Sequence, residues 1–281
     1  MSMLHTWIDG IPAEVVPVDD RGLNYADGVF ETLLCRRGKI LGAQLHEARL
    51  AQGLSRLTFP NADSLAEAVF ATARQLLSGV GHSGVARLTV TRGSGKRGYT
   101  PDFDATPRSI LVAQNDRVID KPGVRCGPAE TRWADQPQLA GLKLLARTEQ
   151  VLAAGEAAKA GWDDAIMLDA RGQVISSSRG NIFIFTAGRV LTPDLETCGI
   201  ARTRRQLLID RILPSLGSEA EVCSLSWDQL MTADAVVITN AVMGIAEVVA
   251  IGDTGLPVDG GNGLVSRMRE SMTQHLCQGV S

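Results

Sequence analysis

Lys143 stands between leucines in the run QLAGLKLLARTEQ, residues 138–150, and an amine in apolar surroundings is a side chain suited to covalent chemistry. Burial depresses a lysine pKa and makes the neutral amine available as nucleophile, Schiff-base former or general base. A plainer reading is a snorkelling amine whose stem packs on the leucines while its head reaches water, and spacing alone favours it. Rarity points the other way. Only five of the 28 basic residues are lysines: Lys39, Lys96 and Lys121 lie beside Gly or Pro in turn-like contexts, and Lys159 closes an alanine-rich helix. Lys143 alone is flanked by leucines, and on a helix it would meet the like charge of Arg147 four residues on, which is unfavourable on a solvated face.

Other stretches carry groups suited to binding. TRGSGKRGYTP (91–101) is a glycine-rich turn after an apolar strand, with Arg92 and Arg97 read as exposed for a carboxylate or phosphate. It fits neither the P-loop nor the GxGxxG pattern, so an ordinary hairpin loop serves equally well. In ETCGIARTRRQLL, Gly199 precedes a helix start, where free backbone N–H groups and the dipole favour an anion. HEARL places Arg49 on a helix, where its fork can grip a phosphate or simply face water. VVITNAVMGI ends an apolar strand on Asn240, either a ligand group at the strand's carboxyl edge or a turn asparagine.

The elements that must position these groups are mixed. Strand-like runs are GVFETLLC, ARLTVTRG, SILVAQ, DAIMLD, NIFIFTAGRVLTP (a hairpin around Gly188) and AVVITN. Helix-like runs are AQLHEARLAQGLSRL, SLAEAVFATARQLLSG, LLARTEQVLAAGEAAKAG, ARTRRQLLIDRIL and GLVSRMRESMTQHL. The expected class is α+β, with an N-terminal α+β domain over 1–115, a polar linker over 116–123 and a C-terminal α/β domain over 124–281 that carries Lys143. With 281 residues, 44% of them hydrophobic, the chain can bury a large core, and a formal charge of −3 offers no basic field for nucleic acid. The longest apolar runs are broken by Asp234, Asn240, Glu247 and glycines, so no membrane span is expected. The N-terminus has no basic stretch followed by an apolar one, and the five cysteines are scattered without a CxxC. A cytoplasmic protein with reduced thiols and no metal site is the expectation.

Taken in order, DRGLNYADGVFETL, HEARL, RGSGKRGY, LAGLKLLARTEQVL, SSSRGNIF, CGIARTRRQLL and TNAVMGI resemble the fold type IV pyridoxal-phosphate enzymes. That family includes branched-chain and D-amino-acid aminotransferases and the aminodeoxychorismate lyases. RGSGKRGY, LAGLK…EQVL and TNAVMG look most like the lyases. The resemblance implies a two-lobed architecture with pyridoxal 5'-phosphate between the lobes, and a homodimer with its active site near the interface. It matches Lys143 to the Schiff-base lysine and Arg49 to the cofactor-phosphate arginine. It also matches the backbone at Ile200 and Ala201, together with Asn240 and Ala241, to segments around the phosphate and substrate. Thr32 aligns with a pocket position, as a catalytic candidate, and Arg97 and Tyr99 of the glycine-rich turn are substrate-binding candidates.

One position departs from the family pattern. Ser176, in QVISSSRGNIF, stands where the family carries a glutamate that accepts a hydrogen bond from the protonated pyridine nitrogen, and no carboxylate lies between Val174 and Asn181. Without that partner the pyridinium is less favoured and the ring is a weaker electron sink. Transamination depends heavily on the sink; loss of pyruvate from aminodeoxychorismate depends on it less, because aromatisation drives the elimination. The resemblance therefore leans to a lyase making 4-aminobenzoate, the folate precursor. The rivals are a D- or branched-chain amino-acid aminotransferase of the same fold and a non-catalytic ligand-binding relative.

Overall fold

The computed structural model describes residues 4–114, 123–258 and 263–278. The chain divides into two compact units. The first is built on an antiparallel sheet from β1 (Leu4–Ile8), β2 (Ile11–Pro12), β3 (Gly28–Arg36), β4 (Lys39–Ile40), β5 (Gly84–Thr91) and β6 (Arg108–Gln114), in the order β2-β1-β6-β5-β3-β4. Its helices are α1 (Arg21–Tyr25), α2 (Ala43–Arg56) and α3 (Ala62–Gly79). In α2, His46, Leu50, Gly53 and Leu54 are buried, and in α3 Ala66, Val69, Phe70, Ala73 and Leu77. These recurrences at three and four residues put one stripe of each helix inward. They share a core with Val29 and Leu33 of β3, Ala86, Leu88 and Val90 of β5 and Leu111 and Ala113 of β6, each set spaced by two or four as a strand requires.

The second unit holds a mixed sheet in the order β12-β11-β10-β13-β14-β7-β8-β9, with β15 on β14. Its strands are β7 (Gly123–Pro128), β8 (Asp164–Leu168), β9 (Val174–Ser177), β10 (Asn181–Thr186), β11 (Arg189–Pro193), β12 (Ala220–Cys223), β13 (Ala235–Asn240), β14 (Gly244–Ile251) and β15 (Thr254–Gly255). Its helices are α4 (Thr148–Ala160), α5 (Thr203–Leu207), α6 (Leu213–Ser215), α7 (Trp227–Met231) and α8 (Leu264–Gln278), with a π-helical turn, Leu208–Ile212, joining α5 to α6. Strands β8, β10 and β13 are buried almost end to end, which explains why their sequences read as continuous apolar runs rather than alternating ones.

Two expectations change. The segment Leu142–Ala146, expected in the C-terminal domain, belongs to the first unit, because its backbone hydrogen-bonds to β3. Of the expected linker, Gly123 opens β7 and residues 116–122 lie outside the described residues. No helix among the described residues is long and apolar enough to cross a membrane, and no group of three or more His, Cys, Asp or Glu among them is arranged to hold a metal ion.

Candidate active site

Lys143 is buried, 8% exposed, but it is not on a helix. Its stretch makes an isolated antiparallel bridge to β3: Phe30 N–H donates to Lys143 O at 3.0 Å, Leu145 N–H donates to Gly28 O at 3.1 Å, and Val29 lies opposite Leu144. Helix α4 starts only at Thr148, so the expected helical clash with Arg147 does not arise. The Lys143 Nζ lies 4.0 Å from the centroid of the Phe30 ring, and the Arg87 guanidinium carbon lies 3.8 Å from the same centroid. Burial pulls the Arg87 pKa down. Side chains alternate across a strand, so half-buried Thr32, opposite Arg87 in the register, shares the face of Phe30.

Glu31 points to the other face of β3, towards α2. Arg49 grips its carboxylate in two-pronged fashion, Nε to Oε1 at 2.8 Å and Nη2 to Oε2 at 2.5 Å, and the His46 Nδ1 is 2.6 Å from Oε2. Burial pushes the Glu31 carboxyl up, but the charges and hydrogen bonds of Arg49 and His46 outweigh it and bring the pKa down to about 2. Arg49 is thus fixed by a buried carboxylate on the strand that also borders Lys143. Sequence reading missed Glu31 and His46; the signal was a glutamate on the core-facing register of an apolar strand.

The glycine-rich turn is firmly anchored. Arg21, 2% exposed, donates to the carbonyls of Lys96, Gly98 and Tyr99 at 3.0–3.2 Å and to Asp27 at 2.9 Å. Tyr25 Oη accepts the Gly98 N–H at 2.9 Å. Gly93, at φ +81°, is required: a Cβ there would sit 2.1 Å from the Thr106 carbonyl oxygen. Arg97 and Tyr99 are exposed. Arg92, expected to be exposed, is buried instead, because Asp27 takes its Nε at 2.8 Å and Leu57 O its Nη2 at 2.6 Å.

In the second unit, the turn at Ile200 and Ala201 is braced from two sides. Gly141 N–H donates to Gly199 O and Ala201 N–H to Gly141 O, tying the turn to the backbone two residues before Lys143. Buried Asn181 donates from Nδ2 to Ile200 O at 2.9 Å and accepts the Arg202 N–H at 3.2 Å. Gly199, at φ +94°, leaves no room for a Cβ, which would meet Leu195 at 2.6 Å. Just beyond, at the start of α5, the Thr203 hydroxyl is buried with no hydrogen-bond partner among the described residues. Asn240 behaves as a turn asparagine: its Oδ1 accepts the N–H groups of Val242 and Met243 at 2.9 and 2.8 Å, and Ala241 O accepts from Arg204 at 3.4 Å. Ser176 is 1% exposed, and its Oγ accepts a hydrogen bond from Trp133 Nε1 at 3.0 Å.

Residues 28–251 match the amino-transferase class IV family. The chain belongs to that family. It is 31% identical over 252 residues to the aminodeoxychorismate lyase of Vibrio harveyi, covering 87% of this chain and 90% of that one. It is 29% identical over 238 residues to a putative branched-chain-amino-acid aminotransferase of Methanocaldococcus jannaschii, covering 84% and 82%. Among solved structures, 4-amino-4-deoxychorismate lyase from Pseudomonas aeruginosa superposes with a TM-score of 0.86 at 37% identity, covering 96% of this chain and 98% of that one. The fold is that of the fold type IV enzymes, and the cofactor of this class is pyridoxal 5'-phosphate. Each unit taken by itself offers chemistry that suits such a cofactor: the first a buried lysine amine, the second a buried Thr203 hydroxyl with no hydrogen-bond partner among the described residues.

Proposed function

We propose that this class IV enzyme is an aminodeoxychorismate lyase, converting 4-amino-4-deoxychorismate to 4-aminobenzoate and pyruvate in the cytoplasm as a homodimer. The observation that carries the reading is the buried hydroxyl of Ser176 where the resemblance implies a carboxylate. The likeness to lyases at 31% and 37% identity supports it.

When bound, pyridoxal 5'-phosphate supplies an aldehyde that captures an amine and a ring that draws electrons from the adjoining carbon. Lys143 would hold the cofactor through its buried amine and, with that amine free, would take the proton from the ring carbon bearing the substrate's 4-amino group. The C–O bond to the enolpyruvate breaks as the ring becomes aromatic, and Thr32 returns a proton to the enolpyruvate carbon. Arg49, Ile200, Ala201, Asn240 and Ala241 serve the cofactor phosphate and the pocket wall. For Asn240 that service is the shape of the turn, since its amide oxygen is spent on Val242 and Met243. Arg97 and Tyr99 meet the substrate carboxylates.

The likeness to the Methanocaldococcus jannaschii protein favours a second reading, an aminotransferase acting on branched-chain amino acids, and a bifunctional aminodeoxychorismate lyase / D-amino acid transaminase of Mycobacterium tuberculosis, 28% identical over 185 residues, extends that reading to D-amino acids. Incubating the cofactor-loaded enzyme with aminodeoxychorismate and following 4-aminobenzoate fluorescence tests the first reading. Steady release of 4-aminobenzoate matched by pyruvate is expected, and keto-acid formation from leucine or D-alanine without it sinks the lyase.

A further inference from the structure

Trp133 reached the site without any motif to announce it. It lies 43 residues before Ser176, and its indole N–H donates to the Ser176 Oγ at 3.0 Å inside a buried apolar cluster with Ala153, Met167 and Ile175. An indole N–H is a donor only, so the direction of this bond is fixed. A serine oxygen has one hydrogen to give and two lone pairs to receive with. One lone pair is spent on Trp133, and the structure gives the Ser176 hydrogen no acceptor among the described residues.

We infer that Trp133 is a positioning residue that commits Ser176 to donate its hydroxyl proton to the cofactor ring nitrogen and so keeps that nitrogen unprotonated. The inference rests on the proposed placement of Ser176 beside that nitrogen. Against a neutral ring nitrogen, Ser176 gives its hydrogen and receives the indole's, so the hydroxyl and the indole N–H are both satisfied. Against a protonated nitrogen it would have to receive twice and strand its own hydrogen in an apolar site, which is costly. Accepting from the indole also strengthens the hydroxyl as a donor. The guanidinium of Arg147, 5.9 Å from the indole centroid, acts in the same sense, since a cation on the ring face draws density from the N–H and makes it a better donor.

The test follows the ring nitrogen itself, by the 15N resonance of ring-labelled pyridoxal 5'-phosphate bound to the enzyme, across pH. Trp133→Phe keeps an aromatic body but has no N–H. Its titration midpoint is expected to lie above that of the unaltered enzyme by about half to one pH unit, the equivalent of one neutral hydrogen bond. Ser176→Ala should also raise the midpoint, and in that background Trp133→Phe should add nothing. If Trp133→Phe disturbs the fold, biosynthetic replacement of tryptophan by benzothienylalanine, which keeps the bicyclic shape and puts sulfur in place of N–H, makes the same comparison. In the cofactor-free protein, Ser176→Ala should shift the Trp133 indole proton upfield. A midpoint moved by Ser176→Ala but untouched by either tryptophan change overturns this inference and leaves the placement of Ser176 standing. A midpoint that Ser176→Ala does not move overturns both.

Discussion

At Lys143 the surroundings combine a short apolar strand edge, an aromatic face and a neighbouring guanidinium on the same ring. Borohydride treatment of the loaded enzyme should fix the cofactor on Lys143, and Lys143→Ala should be colourless and inactive; a peptide map with the label on another lysine contradicts the assignment. Ser176 makes opposite demands on two reactions. A hydroxyl can donate to a neutral ring but cannot supply the charge that holds a proton there. Ser176→Glu should therefore raise half-transamination with D-alanine or leucine more than it raises lyase turnover, and an equal factor on both rates would show that the serine does not select the chemistry. The burial of Lys143 was open to sequence reading through its rarity and its flanking leucines, and the lack of a carboxylate between Val174 and Asn181 is plain from the residues, its meaning resting on the family resemblance. Trp133 was not, because a contact across 43 residues leaves no local trace.

At the scale of elements, β3 carries two functions on two faces. Phe30 and Thr32 lie on the face reached by Lys143, while Glu31 anchors Arg49 and His46 on the core side. Glu31, held at a pKa of about 2 against an ordinary value of 4.5, contributes stability that is complete above about pH 4.5 and is lost as pH falls through about 2. Glu31→Gln should flatten that acid limb and, by stranding buried Arg49, cost roughly 3–5 kcal/mol in urea unfolding at pH 7; an unchanged acid limb would show that the carboxylate is not ionised in the fold. The glycine-rich turn depends on α1 in a comparable way. Arg21→Lys keeps the charge beside Asp27 but loses the fork that holds three carbonyls. Amide exchange at 96–99 should quicken and the KM for aminodeoxychorismate rise several-fold, with kcat little changed. Protection left intact would mean the turn holds itself. The sequence showed the turn and Arg97; it misjudged Arg92, because an arginine after a strand looks solvated until the distant carboxylate of Asp27 is brought beside it.

At the scale of the whole molecule, most helices and the long strands were readable from period and composition, since α2, α3 and α8 bury regular stripes and the β10–β11 hairpin turns at Gly188. What escaped was long-range. The stretch around Lys143 has leucines that suit a helix, yet its backbone pairs with β3, more than a hundred residues earlier, and so belongs to the first unit. Tertiary pairing overrode local preference there. β9 escaped because it is four residues long and half of it is serine, and β14 because Glu247 and two alanines interrupt its apolar run. In solution, light scattering should give the mass of two chains, and a single-chain mass would remove the partner copy from the account. The central claim is the reaction itself, and one comparison tests it most directly: the rate of 4-aminobenzoate release from aminodeoxychorismate against the rate of keto-acid formation from D-alanine or leucine, in the same preparation of loaded enzyme. 4-Aminobenzoate and pyruvate should appear together and faster than any keto acid; amino-acid transamination that outpaces them would contradict the lyase reading.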